Sequence, residues 1–297
     1  MNVEWIAVDW GTSHLRAWAM QGDSVLAQAA SSDGMSRTTG GGFQAALLAL
    51  IEDWLPGQPV DVIACGMVGA RQGWVEAPYS AVPSEPIPVV PFRVPNTDPR
   101  IRAFVVPGLK QNSPPDVMRG EETQIAGFLS AHQNWDGVIC LPGTHTKWAQ
   151  ISAGEVVSFR TFMTGEMFDL LCGQSVLRHS IDDGWDEASF IDAVADTLSK
   201  PEQLAARLFG LRAADLLHGQ NKNIAHASLS GFLIGAELAA SRPYWLGQQL
   251  AVIGSESLTK AYATALQQQG ALVETVDATA TTLAGLAQAR TLTRQTA

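Results

Sequence analysis

A short strand–turn–strand pattern occurs twice in this chain of 297 residues, and it constrains the fold more than any other feature. The first copy, IAVDWGTSHLRAW, spans residues 6–18, and the second, VICLPGTHTKWAQI, spans residues 138–151. In each copy an apolar strand leads into a Gly-Thr turn with further polar side chains, and a second strand follows. Glycine lets an anion approach the backbone closely, and the amides and hydroxyls of such a turn donate to phosphate oxygens. The repeat predicts two phosphate-binding hairpins, one in each half of the chain.

The length and the order of elements predict two α/β lobes. A chain of this size can form two domains, each with its own core. Hydrophobic periodicity after each hairpin predicts the same order in both halves: three strands, a helix, a strand, a helix, a strand and a helix. We expect an N-terminal lobe over residues 1–133 and a C-terminal lobe over 134–297. The ligand is expected at the carboxyl ends of the strands, in a cleft between the lobes.

Composition excludes several classes of function. The net charge is −10, and no basic cluster is present to bind a nucleic-acid backbone. Cys65, Cys140 and Cys172 are far apart in the sequence, as expected for reduced thiols of a cytoplasmic protein. Neither an export signal nor an apolar stretch of membrane-spanning length is visible, so we expect no membrane partner. The oligomeric state stays open, a homodimer included.

Three segments resemble the motifs of the superfamily of sugar kinases, actin and Hsp70 ATPases. They are DWGTS at 9–13 for the first phosphate motif, LPGTHTK at 141–147 for the second, and IGSES at 253–257 for the adenosine motif. Within this superfamily the chain is similar over nearly its whole length to the 2-dehydro-3-deoxygalactonokinase family. The closer match lies in residues 65–74, 118–124 and 141–148. The resemblance implies a two-lobed, actin-like (ribonuclease H-like) ATPase fold, with a mixed five-stranded sheet flanked by helices in each lobe.

The resemblance also implies an activity. The family uses ATP and Mg²⁺ to phosphorylate the C6 hydroxyl of a 2-keto-3-deoxy sugar acid in galactonate degradation. We therefore expect 2-dehydro-3-deoxy-D-galactonate as acceptor, with the 6-phospho acid and ADP as products. Three alternatives remain: a kinase for an epimeric acid, an exopolyphosphatase-like phosphohydrolase, and a non-catalytic nucleotide-gated binding protein. The base preference for the nucleotide is also open.

Phosphoryl transfer depends mostly on positioning and on neutralising charge, and both hairpins carry residues of that kind. Asp9 ends the first strand, where a carboxylate can hold magnesium directly or through water. The alternative for Asp9 is a structural role in capping a turn. We expect the ATP phosphates to contact Gly11, Thr12, Ser13, Arg16, Gly143, Thr144, His145, Thr146 and Lys147. Adenosine is expected at Gly254 and Ser255.

A carboxylate that opens the helix between the two halves is the candidate general base. Glu121 is the first choice and Glu122 the second, since the superfamily commonly places its acidic base at the corresponding point. The alternative is that acidic residues occupy a first helical turn only because the helix dipole favours them there. Asp116 and Asp169 are further candidates.

The expected acceptor carries a carboxylate, which arginine binds in a bidentate manner. Arg71 and Arg119 are the candidates, and Gln72 and Trp74 lie in the same loop as Arg71. This loop follows a strand predicted to be buried, where α/β proteins place ligands. The alternative is an ordinary surface loop with a solvated arginine.

Overall fold

Strands and helices alternate along the part of the chain that the computed structural model describes, residues 2–38 and 41–295. The strands are β1 (Trp5–Trp10), β2 (Leu15–Gln21), β3 (Ser24–Ser31), β4 (Val60–Gly66), β5 (Tyr79–Ala81), β6 (Phe92–Arg93), β7 (Ile101–Val105), β8 (Gly108–Asn112), β9 (Pro115–Met118), β10 (Gly137–Leu141), β11 (Thr146–Ser152), β12 (Glu155–Phe162), β13 (Leu250–Gly254) and β14 (Val273–Asp277). The α-helices are α1 (Gly42–Ile51), α2 (Glu121–Ala131), α3 (Thr164–Gln174), α4 (Glu187–Ser199), α5 (Leu204–His218), α6 (Lys222–Ala240), α7 (Arg242–Trp245), α8 (Glu256–Gln267) and α9 (Ala278–Gln295). Short 3₁₀ turns occupy Glu52–Trp54, Met67–Gly69, Val176–His179 and Pro201–Gln203.

The chain forms two compact units. The first contains the described residues within 1–135, 151–158 and 278–297, and the second contains 136–150 and 159–277. The first unit therefore includes α9. The division predicted from the sequence assigns this helix to the second lobe, because contiguous numbering cannot show that a chain returns to its starting unit.

The first unit is built on a sheet with the order β3-β2-β1-β4-β7-β6. Strand β1 pairs antiparallel with β2, which closes the first hairpin, and parallel with β4. This register places Asp9 opposite Arg16 on one side and opposite Cys65 on the other. Helix α1 packs on one face through Phe43 and Leu47, and α2 and α9 pack on the other.

The second unit is built on a five-stranded sheet with the order β12-β11-β10-β13-β14. Strand β13 runs parallel to both β10 and β14. The core joins apolar strand residues such as Val138 and Val252 to Phe190 of α4 and Leu266 of α8. A second apolar cluster holds α5 and α6 together with the turn at Val176–His179.

The first sheet has six strands where the sequence predicted five. The additional strand, β6, has only two residues and lies inside the proline-rich segment 70–99. A separate three-stranded sheet, in the order β5-β8-β9, also falls partly in that segment. Strands this short carry too little periodicity to be recognised from sequence. No helix among the described residues has both the length and the apolar character needed to cross a membrane.

Candidate functional site

The first Gly-Thr turn joins β1 to β2. The Gly11 amide donates to the His14 carbonyl at 2.9 Å and closes the turn, and the side chains of Thr12 and Ser13 are exposed. Asp9 precedes the turn and is hydrogen-bonded through Oδ2 to the guanidinium of Arg16. Arg16 therefore neutralises this carboxylate at the edge of the turn. The predicted phosphate-binding residues Gly11, Thr12, Ser13 and Arg16 are all exposed or partly exposed.

Asp9 also contacts a buried thiol that the sequence analysis did not assign to the site. Cys65 is the penultimate residue of β4, and its Sγ lies 3.9 Å from Oδ1 of Asp9. Burial, with the charges of Asp9 and Glu122 nearby, raises the pKa of the Cys65 thiol well above its ordinary value. The thiol therefore stays protonated and donates to Asp9. Both carboxylate oxygens of Asp9 are thus held in place, one by Arg16 and one by Cys65.

The start of α2 lies close to the ends of β1 and β4 because two glycines allow the contact. Gly66 has φ +90°, and a Cβ there would lie 2.6 Å from the Trp10 carbonyl oxygen. Gly120 has φ +107°, and its Cβ would lie 3.3 Å from the Gly66 Cα. Both backbones adopt a conformation that other residues rarely take. The first turn of α2, with its two glutamates, is therefore held beside Asp9.

The two adjacent glutamates have different environments. Glu122 is fully buried, and its carboxyl group accepts hydrogen bonds from the Gly120 amide at 2.7 Å and the Thr123 hydroxyl at 3.0 Å. Burial, together with the charge of Glu121, raises the pKa of Glu122 to about 8. Glu121 is partly exposed and accepts from the Arg119 amide at 3.0 Å. Only Glu121 presents surface that a substrate can reach.

The residues predicted to bind the sugar acid are spread over different environments. Arg71 is exposed, and its Nε lies 3.5 Å from Oε1 of Glu76. Gln72 is exposed as well. Trp74 packs against the core of the first unit, with its ring centroid 6.4 Å from that of Trp10. Arg71 and Gln72 are therefore accessible to a ligand, whereas Trp74 serves mainly to hold the loop onto the core.

Arg119 is buried, unlike Arg71. Its Nη2 donates to the Ala77 carbonyl at 2.8 Å, and its guanidinium lies 4.2 Å from the Tyr79 ring centroid, a cation–π distance. Its Nε and Nη1 have no hydrogen-bond partner among the described residues. Nη1 packs against Gly69, where an added Cβ would lie 2.7 Å away. The side chain thus stabilises the loop that carries Arg71.

The second Gly-Thr turn joins β10 to β11 and packs against the start of α3, where the Glu166 amide donates to the Thr144 carbonyl. Thr144 and His145 are exposed, and the His145 Nε2 lies 2.6 Å from Oε2 of Glu166. The Lys147 ammonium donates to the His145 carbonyl at 3.1 Å, and the residue is only 4% exposed. Lys147 therefore supports the backbone of the turn from inside the protein.

Thr146 is buried under the same turn and takes part in a polar network. Its hydroxyl lies 3.0 Å from the Tyr262 hydroxyl, which donates to Glu237 at 2.9 Å. Because Tyr262 uses its proton on Glu237, Thr146 is the donor to Tyr262. The structure thus places the Thr146 hydroxyl in the protein interior, whereas the Thr144 hydroxyl is at the surface.

Glu237 of α6 is the centre of this network and was not identified from the sequence. It accepts from the Trp148 indole at 2.8 Å and from the Thr164 hydroxyl, in addition to Tyr262. Burial raises its pKa to about 7, although these three donors oppose the shift. Glu237 therefore ties β11, the start of α3 and α8 together beneath the turn. A single acidic residue in the apolar run 231–240 was the signal in the sequence.

A cavity of about 700 Å³ extends from the second turn into the second unit. It begins at Gly143 and Thr144, and the side of α8 from Ser257 to Thr264 forms one wall. Rings line its interior: Phe168, Trp185, Phe190, Tyr262 and His226. Volume and lining match a small-molecule pocket, which is mostly apolar with a few polar groups.

The predicted adenosine residues lie beside this cavity and do not line it. Gly254 ends β13, where an added Cβ would lie 3.2 Å from Cγ of Pro142. Ser255 occupies the position before α8 and is exposed. The lining begins two residues later, at Ser257 and Leu258. The predicted adenosine residues therefore lie in the loop next to the cavity, and the helix that follows them forms the cavity wall.

Comparison with known proteins identifies the family of this chain. The model of the family described as 2-keto-3-deoxy-galactonokinase matches residues 9–289. A Rhizobium meliloti (strain 1021) protein named "Probable 2-dehydro-3-deoxygalactonokinase" is 39% identical over 293 residues, which cover 95% of each chain. The 2-dehydro-3-deoxygalactonokinase of Escherichia coli (strain K12) is 33% identical over 279 residues, which cover 93% of this chain and 94% of the relative.

Solved structures support the same grouping. A crystal structure from Sinorhizobium meliloti, provisionally given the same enzyme name, has a TM-score of 0.90 and 38% identity, and covers 96% of this chain and 95% of its own. The ADPNP-bound activator of 2-hydroxyisocaproyl-CoA dehydratase from Clostridium difficile shares the fold at a TM-score of 0.57 and 11% identity, with coverage of 98% and 96%. The predicted α/β actin-like fold is confirmed, and this chain belongs to the 2-keto-3-deoxy-galactonokinase family.

Proposed function

We propose that this protein transfers the γ-phosphoryl group of ATP to the C6 hydroxyl of 2-dehydro-3-deoxy-D-galactonate, giving the 6-phospho acid and ADP. The observation that carries the proposal is the cavity that starts at the Gly143-Thr144 turn and ends among aromatic rings. One end suits phosphate and the other suits a purine base. Membership of the family is the basis for naming the sugar acid as the acceptor. It also favours the kinase over the phosphohydrolase and the non-catalytic alternatives.

Magnesium fits the residues at the first turn. No group of three or more His, Cys, Asp and Glu side chains able to hold a metal occurs within the described ranges. Mg²⁺ bound with a nucleotide needs only one or two carboxylates, because phosphate oxygens and water complete its shell. Asp9, whose two oxygens are held by Arg16 and Cys65, would supply that carboxylate. The ion would neutralise charge on the phosphates during transfer.

The general base is assigned to Glu121. A base must reach the acceptor hydroxyl, and Glu121 is partly exposed whereas Glu122 is wholly buried. Arg71 and Gln72, both exposed, are proposed to hold the carboxylate end of the acid.

The test is ADP release from ATP and Mg²⁺ with a panel of acids. The panel contains 2-dehydro-3-deoxy-D-galactonate and its C4 epimer, and polyphosphate without acid is assayed for phosphate release. We expect acid-dependent ADP formation with the galactonate derivative, and a product phosphorylated at C6 by NMR. ADP release that does not depend on any acid would refute the kinase, and faster turnover of the epimer would change the assigned acceptor.

A variant connects this activity to the second turn. An added Cβ at Gly143 would meet no protein atom within 4 Å, so the folded protein tolerates Gly143→Ala. A phosphate placed against this turn would meet the methyl group. We expect unchanged thermal stability and a KM for ATP raised about tenfold or more, as for the loss of a charge-assisted hydrogen bond. An unchanged KM for ATP would remove Gly143 from the phosphate site.

A further inference from the structure

Each Gly-Thr turn rests on a glycine from another segment. Gly34 follows the end of β3 by three residues, and a Cβ there would lie 2.3 Å from the Ser13 carbonyl carbon. Gly165 follows the end of β12 by three residues, and its Cβ would lie 2.2 Å from the Gly143 carbonyl oxygen. No real side chain fits at either distance. The two halves thus repeat one arrangement at equivalent positions, although the first glycine is in a loop and the second in α3.

The segments that carry these glycines bind the carbonyl groups of the turns. The Met35 amide donates to the Gly11 carbonyl at 3.0 Å, and the Ser36 amide donates to the Thr12 carbonyl at 3.0 Å. The Ser36 hydroxyl also donates to the Thr12 carbonyl, at 2.9 Å. In the second unit the Glu166 amide donates to the Thr144 carbonyl at 2.9 Å. Three turn carbonyls are therefore fixed on the side of the glycine.

The direction of these carbonyls decides where the next amides point. In a planar trans peptide the N–H of a residue points opposite to the carbonyl that precedes it. The amides of Thr12, Ser13 and His145 therefore point away from the supporting segments. Within residues 2–38 and 41–295, none of the backbone hydrogen bonds of the turns and loops uses these three amides. They are donors directed outward from the turns.

We propose that Gly34 and Gly165 are positioning residues, which let their segments approach the turns and so direct the outward amides of each turn at phosphate oxygens. This inference rests on the proposed function, because it takes the ligand to be a nucleotide phosphate. Donors held in place before binding stabilise an anion without having to reorganise. A larger residue at 34 or 165 would push the supporting segment away and rotate the peptides of the turn.

The test compares two substitutions in the same helix, Gly165→Ala and Gly173→Ala. An added Cβ at Gly173 would meet nothing within 4 Å, so it controls for the effect of alanine on α3. Binding of ADP with Mg²⁺ and of adenosine is measured by calorimetry. We expect Gly165→Ala to weaken ADP binding at least tenfold and to leave adenosine binding within twofold of wild type. Gly173→Ala should bind both ligands like wild type.

Two results would overturn the inference: ADP binding unchanged in Gly165→Ala, or ADP and adenosine weakened equally, as a general loss of structure would cause. A wild-type protein that binds ADP but phosphorylates no acid would refute the proposed function and leave this inference standing.

A milder substitution covers the case in which Gly165→Ala does not fold. Ser36→Ala removes one of the two hydrogen bonds to the Thr12 carbonyl, and Ser36 is exposed. We expect the KM for ATP to rise about two- to fivefold, the effect of one hydrogen bond, with the KM for the sugar acid and the unfolding midpoint unchanged. Ser32→Ala, at an exposed serine of the same loop, is the control. An equal KM for ATP in both variants would overturn the proposal.

Discussion

The buried carboxyl group of Glu122 makes the stability of this protein depend on pH in a predictable direction. Its pKa is about 8 in the folded protein, against an ordinary value of 4.5. Between these values the folded state keeps a proton that the unfolded chain releases, so the free energy of unfolding falls as pH rises. The contribution is fully present below pH 4.5 and is lost as pH rises to about 8. At about 1.4 kcal/mol per pKa unit, the loss is about 3 kcal/mol between pH 5.5 and 7.5.

Glu122→Gln removes this titration and preserves the contacts. The amide oxygen of glutamine can accept from the Gly120 amide, and its NH₂ group can donate to the Thr123 hydroxyl, which then accepts instead of donating. The variant therefore resembles the neutral form of wild type. Glu256→Gln is the matched control, since Glu256 is also in the first turn of a helix but is exposed.

The assay is urea unfolding, followed by tryptophan fluorescence at pH 5.5 and 7.5. Relative to wild type, Glu122→Gln should gain about 3 kcal/mol in the free energy of unfolding when pH is raised between these values. The free energy of unfolding of Glu256→Gln should differ from that of wild type by the same amount at both pH values. If the difference in the free energy of unfolding between Glu122→Gln and wild type changes by less than about 0.5 kcal/mol from pH 5.5 to pH 7.5, the argument from burial is wrong.

Two further predictions concern the site. Glu121→Gln should lower kcat by about 10² to 10⁴, the usual contribution of a general base, with the KM for ATP nearly unchanged. Steady-state kinetics measure both constants. A larger loss of kcat in Glu122→Gln would assign the role of general base to Glu122. Thr144→Val should raise the KM for ATP without changing stability, because the Thr144 hydroxyl is exposed. Thr146→Val should instead lower the free energy of unfolding by about 1–2 kcal/mol, because it loses the hydrogen bond to Tyr262. Equal effects of the two threonine substitutions on the KM for ATP would contradict this distinction.

Local features of the site could be predicted from the sequence because they depend on neighbouring residues. A hairpin consists of two adjacent strands and a turn, so both Gly-Thr hairpins were visible as alternation and composition. The placement of Asp9 opposite Arg16 follows directly from hairpin register. The position of Glu121 and Glu122 in the opening turn of α2 was also predicted, since a glycine and two acidic residues mark it.

The burial of individual side chains could not be predicted in this way. Glu121 and Glu122 are adjacent, yet one is partly exposed and the other fully buried, because successive residues of a helix point in different directions. Thr144 is exposed in the turn, whereas Thr146, two residues later, is buried as the first residue of β11. Arg71 and Arg119 were equivalent candidates, but packing buries Arg119 under the loop that carries Arg71.

The sequence by itself determined the repeated hairpins, the family and the order of elements in the second half. In the first half, the α-helix predicted between the fourth and fifth strands is wrong, since the described residues between β4 and β7 form a 3₁₀ turn and two short strands. Only the tertiary structure decided how the turns are supported, because Gly34 and Gly165 act through contacts with backbone 20 or more residues earlier. It also decided that α9 joins the first unit and that Glu237 lies beneath the second turn. A glycine has no side chain to form a pattern, and a close approach between distant segments depends on the packing of whole sheets and helices.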